Sequence, residues 1–114
     1  MSVFHLNACV NGSIDSRYIQ SFDVVVSSTG YEDFDVLTQA YHGPRLFLLN
    51  LHHVDTTYPG NQAFITNVQT NYQPFLLQLI TNVNNPSFTT ITITVKNQGN
   101  VLAVFGTEHF TIVG

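Results

Sequence analysis

The chain has 114 residues, a formal net charge of −4 at pH 7, and only 9% Asp, Glu, Lys and Arg. Its three fixed cations, Arg17, Arg45 and Lys96, are too few and too scattered to follow a row of phosphates, so we expect neither nucleic acid nor an anionic membrane as a partner. Hydrophobic residues make up 44% of the chain, which argues against disorder and predicts one folded domain over residues 1–114.

Uncharged groups supply most of the polarity. Asn, Gln, Thr and Ser together account for 38 of the 114 residues. Removing water from such a surface costs little free energy because no ions have to be desolvated. The surface also lacks the charge repulsion that keeps copies of a protein apart. The composition fits either an ordinary Thr- and Asn-rich β protein or a protein that packs against copies of itself or a larger assembly.

Targeting signals are not evident. No apolar run approaches the ~18 residues of a membrane span, and residues 1–7 do not pair a basic segment with an apolar one, as a signal peptide does. Cys9 is the only cysteine, so the chain forms no internal disulfide, and on a predicted strand it is expected to be a small buried hydrophobe.

Short β-rich runs bounded by turn residues recur along the chain. The first six predicted strands cover residues 3–10, 21–27, 34–41, 45–54, 63–70 and 75–81. A hairpin follows over residues 88–113, where Ile91, Ile93 and Val95 alternate with threonines before a Gly-containing turn at 97–100. No helical pattern of ~10 residues interrupts this series. The fold class predicted is all-β, a single small β-sandwich or jelly-roll-like domain of about eight strands.

Two segments have special features. Residues 11–20 fit either an extended arm that laps over a neighbour or one short helical turn. Residues 45–54 form the most apolar run, with large side chains on both faces of the predicted strand. Such a strand is either central in its sheet or has one face covered by a second subunit. The alternation predicts a core made of Phe47, Leu49, Leu51, Phe75, Leu77, Leu79, Ile91, Ile93 and Val95.

Catalytic and metal motifs are weak. His52 and His53 are neighbours on one strand and point to opposite faces, so an ion held by either needs a further ligand, from His42, His5, His109 or Asp55. Glu32, Asp33 and Asp35 offer the oxygen ligands that calcium prefers, but in no recognised calcium-loop pattern. No serine lies in a nucleophile elbow, and no glycine loop could cradle a phosphate. We therefore expect no enzyme, and no catalytic residue, metal or cofactor.

Two loops at the ends of strand 45–54 have the chemistry of a binding surface. The second loop, residues 55–61, combines an aromatic ring, a carboxylate and an amide, the groups that stack on sugar C–H faces and hydrogen-bond to hydroxyls. The candidate ligand-binding residues are Tyr41, His42, Arg45, His53, Asp55, Tyr58 and Asn61. The function that corresponds to them is a small carbohydrate-binding module, a lectin.

A non-enzymatic structural protein accounts for more of these features. An uncharged polar surface, a strand apolar on both faces and a short helix-free chain resemble virion components such as capsid decoration (cement) and tail proteins, by analogy of composition and fold class. The expected partners are copies of the chain itself, as a dimer or trimer, and a larger protein assembly. The expected location is the virion or, alternatively, the cytoplasm. The lectin, with a glycan as partner, is the alternative function.

Overall fold

A computed structural model describes residues 1–29, 32–56 and 62–113. These residues form nine strands: β1 (Ser2–Ala8), β2 (Ser21–Ser28), β3 (Phe34–His42), β4 (Arg45–Val54), β5 (Ala63–Gln69), β6 (Phe75–Thr81), β7 (Thr89–Asn97), β8 (Asn100–Phe105) and β9 (Thr111–Ile112). The helical segments of this part are the 3-10 turns Ser16–Tyr18, Pro86–Phe88 and Thr107–His109. No helix among the described residues has the length and apolar character needed to cross a membrane. The all-β prediction is confirmed.

The described strands build two antiparallel sheets that pack into a sandwich. The five-stranded sheet has the order β4–β3–β6–β1–β9, and the four-stranded sheet has the order β5–β2–β7–β8. The predicted final hairpin is confirmed for β7 and β8, which pair up to Asn97 and Asn100. Gln98 and Gly99 between them both have positive φ angles of 52° and 83°, as the tight two-residue turn of a right-twisted hairpin requires.

The core lies between the two sheets and comes from alternate residues of each strand. On β7, Ile91, Ile93 and Val95 are buried while the intervening threonines face outward, as the sequence pattern predicted. The predicted core residues of β6 are buried as well. Six of the nine predicted core residues are therefore confirmed: Phe75, Leu77, Leu79, Ile91, Ile93 and Val95.

The prediction for β4 is wrong in part. Leu49 and Leu51 are 61% and 72% exposed, and Phe47 is only partly buried against the core. The physical reason is the position of β4, which lies at the edge of its sheet rather than at the centre. Its residues 48, 50 and 52 pair with buried positions of β3, so Leu49 and Leu51 must point to the outer face.

Residues 11–20 fold back onto the domain instead of extending as an arm. Ile14 and Ile19 are buried in the core, and the segment between them contains the short 3-10 turn. The backbone N–H of Cys9 donates to the carbonyl of Ile14 at 3.1 Å, which ties the segment to the end of β1. Of the two sequence interpretations, the helical turn is the one observed. Cys9 itself is half-buried just after β1.

Candidate functional site

The outer face of the five-stranded sheet is unusually apolar. We call it the aliphatic face and define it by the outward side chains of β4, β3, β6 and β1. The strand registers align these side chains in three rows. The first row is Leu51, Leu37, Ile80 and Val3; the second is Leu49, Gln39, Gln78 and His5; the third is Leu46, Tyr41, Leu76 and Asn7. None of these twelve residues is Asp, Glu, Lys or Arg.

Exposure is greatest where the aliphatic face reaches β4. Leu46, Leu49 and Leu51 are 42%, 61% and 72% exposed. Single exposed leucines are ordinary on protein surfaces, but contiguous apolar patches mark interaction sites. Leu51 aligns with apolar residues of three further strands and Leu46 with those of two, whereas Leu49 aligns with polar residues. The exposed leucines of β4 are therefore continuous with a larger, mainly apolar patch.

The outer face of the four-stranded sheet carries both polar and apolar side chains. Thr92 and Thr94 of β7 are half-buried on this side, and Thr90 is exposed. The face also carries an ion pair between Lys96 Nζ and Asp23 Oδ1 at 3.0 Å. Large apolar side chains are exposed on this face as well: Phe64 of β5 and Val104 of β8 are 56% and 58% exposed. This side therefore combines exposed apolar groups with hydroxyl groups and a compensated charge pair.

A second candidate site lies at one end of the sandwich, where β3 begins and β4 ends. Antiparallel pairing sets Asp35 opposite His53, and it brings Asp33 and Asp55 to the same end. We call these four residues the acidic tip. Within it, His53 Nδ1 and Asp35 Oδ1 are 2.8 Å apart. Asp33 Oδ1 accepts hydrogen bonds from the backbone N–H and the hydroxyl of Thr56, both at 2.8 Å.

Three side chains of the acidic tip have the chemistry of metal ligands. Asp33, His53 and Asp55 each offer one ligand atom within 4.8 Å of the others. Ligands at ~2.0–2.2 Å around a tetrahedral ion lie roughly 3.5 Å apart, so the side chains would have to draw inward. Asp35 contacts Nδ1 of His53, as carboxylates do behind metal-bound histidines, so Nε2 is the ring nitrogen that would be left for a metal ion.

The grouping combines parts of the two metal candidates from the sequence: His53 with Asp55 from the first, and Asp33 from the acidic run. Asp33 joins His53 and Asp55 rather than Glu32, and His52 points away to hydrogen-bond with Asn50. In a β-hairpin, the residue numbers of two paired positions add up to the same value along the ladder. Pairing outward from the β3–β4 turn would therefore have placed Asp33 near Asp55. The sequence therefore contained this signal, but using it required knowing that β3 and β4 form a hairpin and that the hairpin contains a bulge.

The acidic tip contains three of the seven Asp and Glu side chains of the chain. Arg17 pairs with Asp15 at 2.7 Å, and Lys96 pairs with Asp23. Arg45 lies at the opposite end of β4. The hydrogen bond from the Thr56 backbone, followed by that from its hydroxyl, lowers the pKa of Asp33. The hydrogen bond to Asp35 is the main cause that raises the pKa of His53, and the three nearby carboxylates add to it.

We expect His53 to titrate above its ordinary pKa of 6.5. Because its pKa is higher in the folded protein, its stabilising contribution is complete below pH ~6.5 and disappears as the pH rises through the folded-state pKa. The side chain is 58% exposed, so this contribution is small. Histidine ring resonances followed by NMR between about pH 5 and 8 measure the pKa directly. Asp35→Asn should return it toward 6.5, and a wild-type value at or below 6.5 would contradict the contact.

The structure places the predicted ligand-binding residues at two separate ends of β4. His53 and Asp55 belong to the acidic tip, whereas His42 and Arg45 lie at the turn between β3 and β4. Arg45 and His53 are eight positions apart on the same strand, a distance of roughly 26 Å. One sugar residue therefore contacts only one of the two groups. Tyr58 and Asn61 lie outside the described residues.

The turn end of β4 borders a cleft of about 440 Å³ between the edges of the two sheets. The His42 ring stacks on Phe47 with centroids 3.9 Å apart and planes 9° apart. His42 Nδ1 donates to the carbonyl of Pro74 at 3.0 Å. His42 is thus held by packing, and Tyr41 faces the aliphatic face instead of the cleft. Arg45 is the charged group at this end.

Comparison of the chain with protein-family models, with curated proteins and with solved structures yields no match.

Proposed function

We propose that this protein is a non-enzymatic structural component of a larger protein assembly, of the virion type, that acts through protein–protein contacts. The observation that carries the proposal is the aliphatic face, an uncharged and partly exposed apolar surface on one broad side of the sandwich. Surfaces of this kind gain free energy when another protein covers them, at about 25 cal/mol per Å² of apolar area.

The rest of the surface supports the same proposal. Only 9% of the residues are charged, so few ions have to be desolvated when two surfaces meet. On the opposite side, the pair of Lys96 and Asp23 is already compensated. Three of the seven acidic side chains lie in the acidic tip, away from the centre of either broad side. Both broad sides are therefore open to contact without charge repulsion.

Sedimentation of the native protein from its source through a density gradient tests this function. An assembly component is expected to migrate with a very large particle, and its copy number and neighbours can then be determined. Migration as a free small oligomer would overturn the proposal. A high-salt wash of the particle is the control for loose attachment, since contacts between uncharged surfaces resist salt whereas adsorption through charges does not.

A small carbohydrate-binding module is the second candidate, and the acidic tip is the observation that favours it. The carboxylates of Asp33 and Asp55 and the imidazole of His53 converge there. Carboxylate oxygens accept hydrogen bonds from sugar hydroxyls, and a fixed imidazole adds a donor or an acceptor. On a glycan array we expect selective binding that Asp33→Asn and Tyr58→Ala abolish, while the remote control Glu108→Gln retains it. A lack of binding to every glycan on the array would rule out the carbohydrate-binding function.

A further inference from the structure

We propose that the aliphatic face is the site at which a second copy of this chain packs, face to face around a two-fold axis. This inference rests on the proposed assembly function and names the surface and the partner that it uses. The occupant is another copy, with the outer face of its five-stranded sheet turned toward that of the first.

The charge distribution favours a copy of the same chain over a different partner. In a two-fold contact, each surface meets itself, so any charge near the axis meets a like charge. The three rows contain no acidic or fixed basic side chain, and Asp35 and Arg45 lie beyond their ends. A surface without charge is compatible with itself, whereas recognition of a charged partner would need complementary ions.

The middle row adds polar groups that suit self-recognition. Gln39 and Gln78 pair across β3 and β6 near the centre of the face. A primary amide carries both donors and an acceptor, so it hydrogen-bonds to the same group in a second copy. The apolar side chains of the two flanking rows would shield these bonds from water, which fits the plan of an apolar contact with a few specific polar groups.

The size and relief of the face are adequate for a dimer. Four strands about 4.8 Å apart and about seven residues long give roughly 440 Å² in plan. The molecule spans 38 and 27 Å along its longer axes, so a copy laid on this side also covers its surroundings and approaches the roughly 800 Å² per partner of a standard interface. A depression of about 320 Å³ lies at the Leu51 end of the face, between Leu37, Leu51 and Ile80 on one side and Met1 and Asp35 at the margin of the face on the other. Its apolar side offers a recess next to the exposed Leu49.

Packing by faces explains the rows better than pairing by edges. β4 is an edge strand, and joining two β4 strands edge to edge would extend the sheet. Such a dimer would leave Ile80 and Val3, two and three strands away from that edge, as exposed as before. Only contact with the face covers the row that runs from Leu51 to Val3.

Sedimentation velocity of the purified recombinant chain over a wide concentration range tests the inference. The wild type is expected to dimerise. Leu51→Asp is expected to weaken dimerisation at least about tenfold, because each interface would then contain two carboxylates without partners. Val104→Asp is the matched control: Val104 is 58% exposed on β8 of the other sheet, and its replacement should leave the dimer intact. Circular dichroism must show that both variants are folded.

Gln78→Glu provides a second variant of nearly unchanged shape, should Leu51→Asp fail to fold. It places like charges near the axis of a face-to-face dimer and should weaken that dimer by a similar factor. Because Gln78 lies two strands from the β4 edge, a dimer paired through β4 edges would tolerate the change. A dimer insensitive to Gln78→Glu therefore overturns the proposed packing.

The outcomes separate this inference from the proposed function. A wild-type monomer at all concentrations overturns the two-fold contact, and the assembly function still stands if the native protein migrates with a large particle. A dimer weakened equally by Val104→Asp and Leu51→Asp also overturns the assignment of the surface. Conversely, loss of the dimer in Gln78→Glu supports the aliphatic face as the dimer interface, whatever the native protein sediments with. If the native protein is then found free of any particle, only the proposed assembly function is overturned.

Discussion

Replacing Leu77 with aspartate is expected to abolish folding, whereas the same replacement at Leu49 is expected to leave a folded protein. Leu77 is fully buried on β6, where it pairs with Leu6 and Ala40 between the two sheets. An unpaired carboxylate in that position costs several kcal/mol, close to the ~5–15 kcal/mol that stabilise a whole domain. Leu49 is 61% exposed, so an aspartate there keeps its water.

Thermal unfolding followed by circular dichroism, together with the soluble fraction after expression, distinguishes the two variants. Leu77→Ala is a useful intermediate variant, since it removes side-chain volume without adding charge. It should lower the free energy of unfolding by about 2–5 kcal/mol. A cooperative transition in Leu77→Asp would show that β6 does not line the core. Loss of folding in Leu49→Asp would show that the outward side of β4 is not open to solvent within one chain.

The contrast between these leucines shows which buried positions can be predicted from the sequence and which cannot. On β7, apolar residues alternate with threonines, so the sequence identifies the buried side without ambiguity. On β4, leucines occupy both sides, and the pattern is the same for a central strand and for an edge strand with one covered face. Strand order depends on which distant segments pair, such as β3 with β6, and local alternation carries no information about that.

The acidic tip depends on a single structural detail that the sequence does not display. The β3–β4 pairing shifts by one residue between Ala40 and Tyr41. Without this bulge, Asp35 would lie opposite His52 rather than His53, since a one-residue shift exchanges the faces of a strand. The ingredients of the tip were visible in the sequence, but the bulge decides which histidine meets the carboxylates.

The second large effect is expected from the stacked rings of Phe22 and Phe75, which join the two sheets. Phe22 belongs to β2 of the four-stranded sheet and Phe75 to β6 of the five-stranded sheet. Their ring centroids are 5.0 Å apart with planes at 19°, and both side chains are almost completely buried. Phe75→Ala should lower the free energy of unfolding by about 3–5 kcal/mol, through lost burial and the cavity that remains.

A double-mutant cycle isolates the contribution of the ring contact itself. Phe22→Ala alone should lower the free energy of unfolding about as much as Phe75→Ala. The double variant should lower it by about 0.5–1.5 kcal/mol less than the sum of the two single variants. Phe75→Leu keeps most of the apolar volume and serves as the control for burial without stacking. Urea denaturation gives the free energies, with unchanged slopes required for the comparison. Strict additivity would show that the rings do not interact, and a cost below ~1 kcal/mol for Phe75→Ala would mean that the sheets are held together elsewhere.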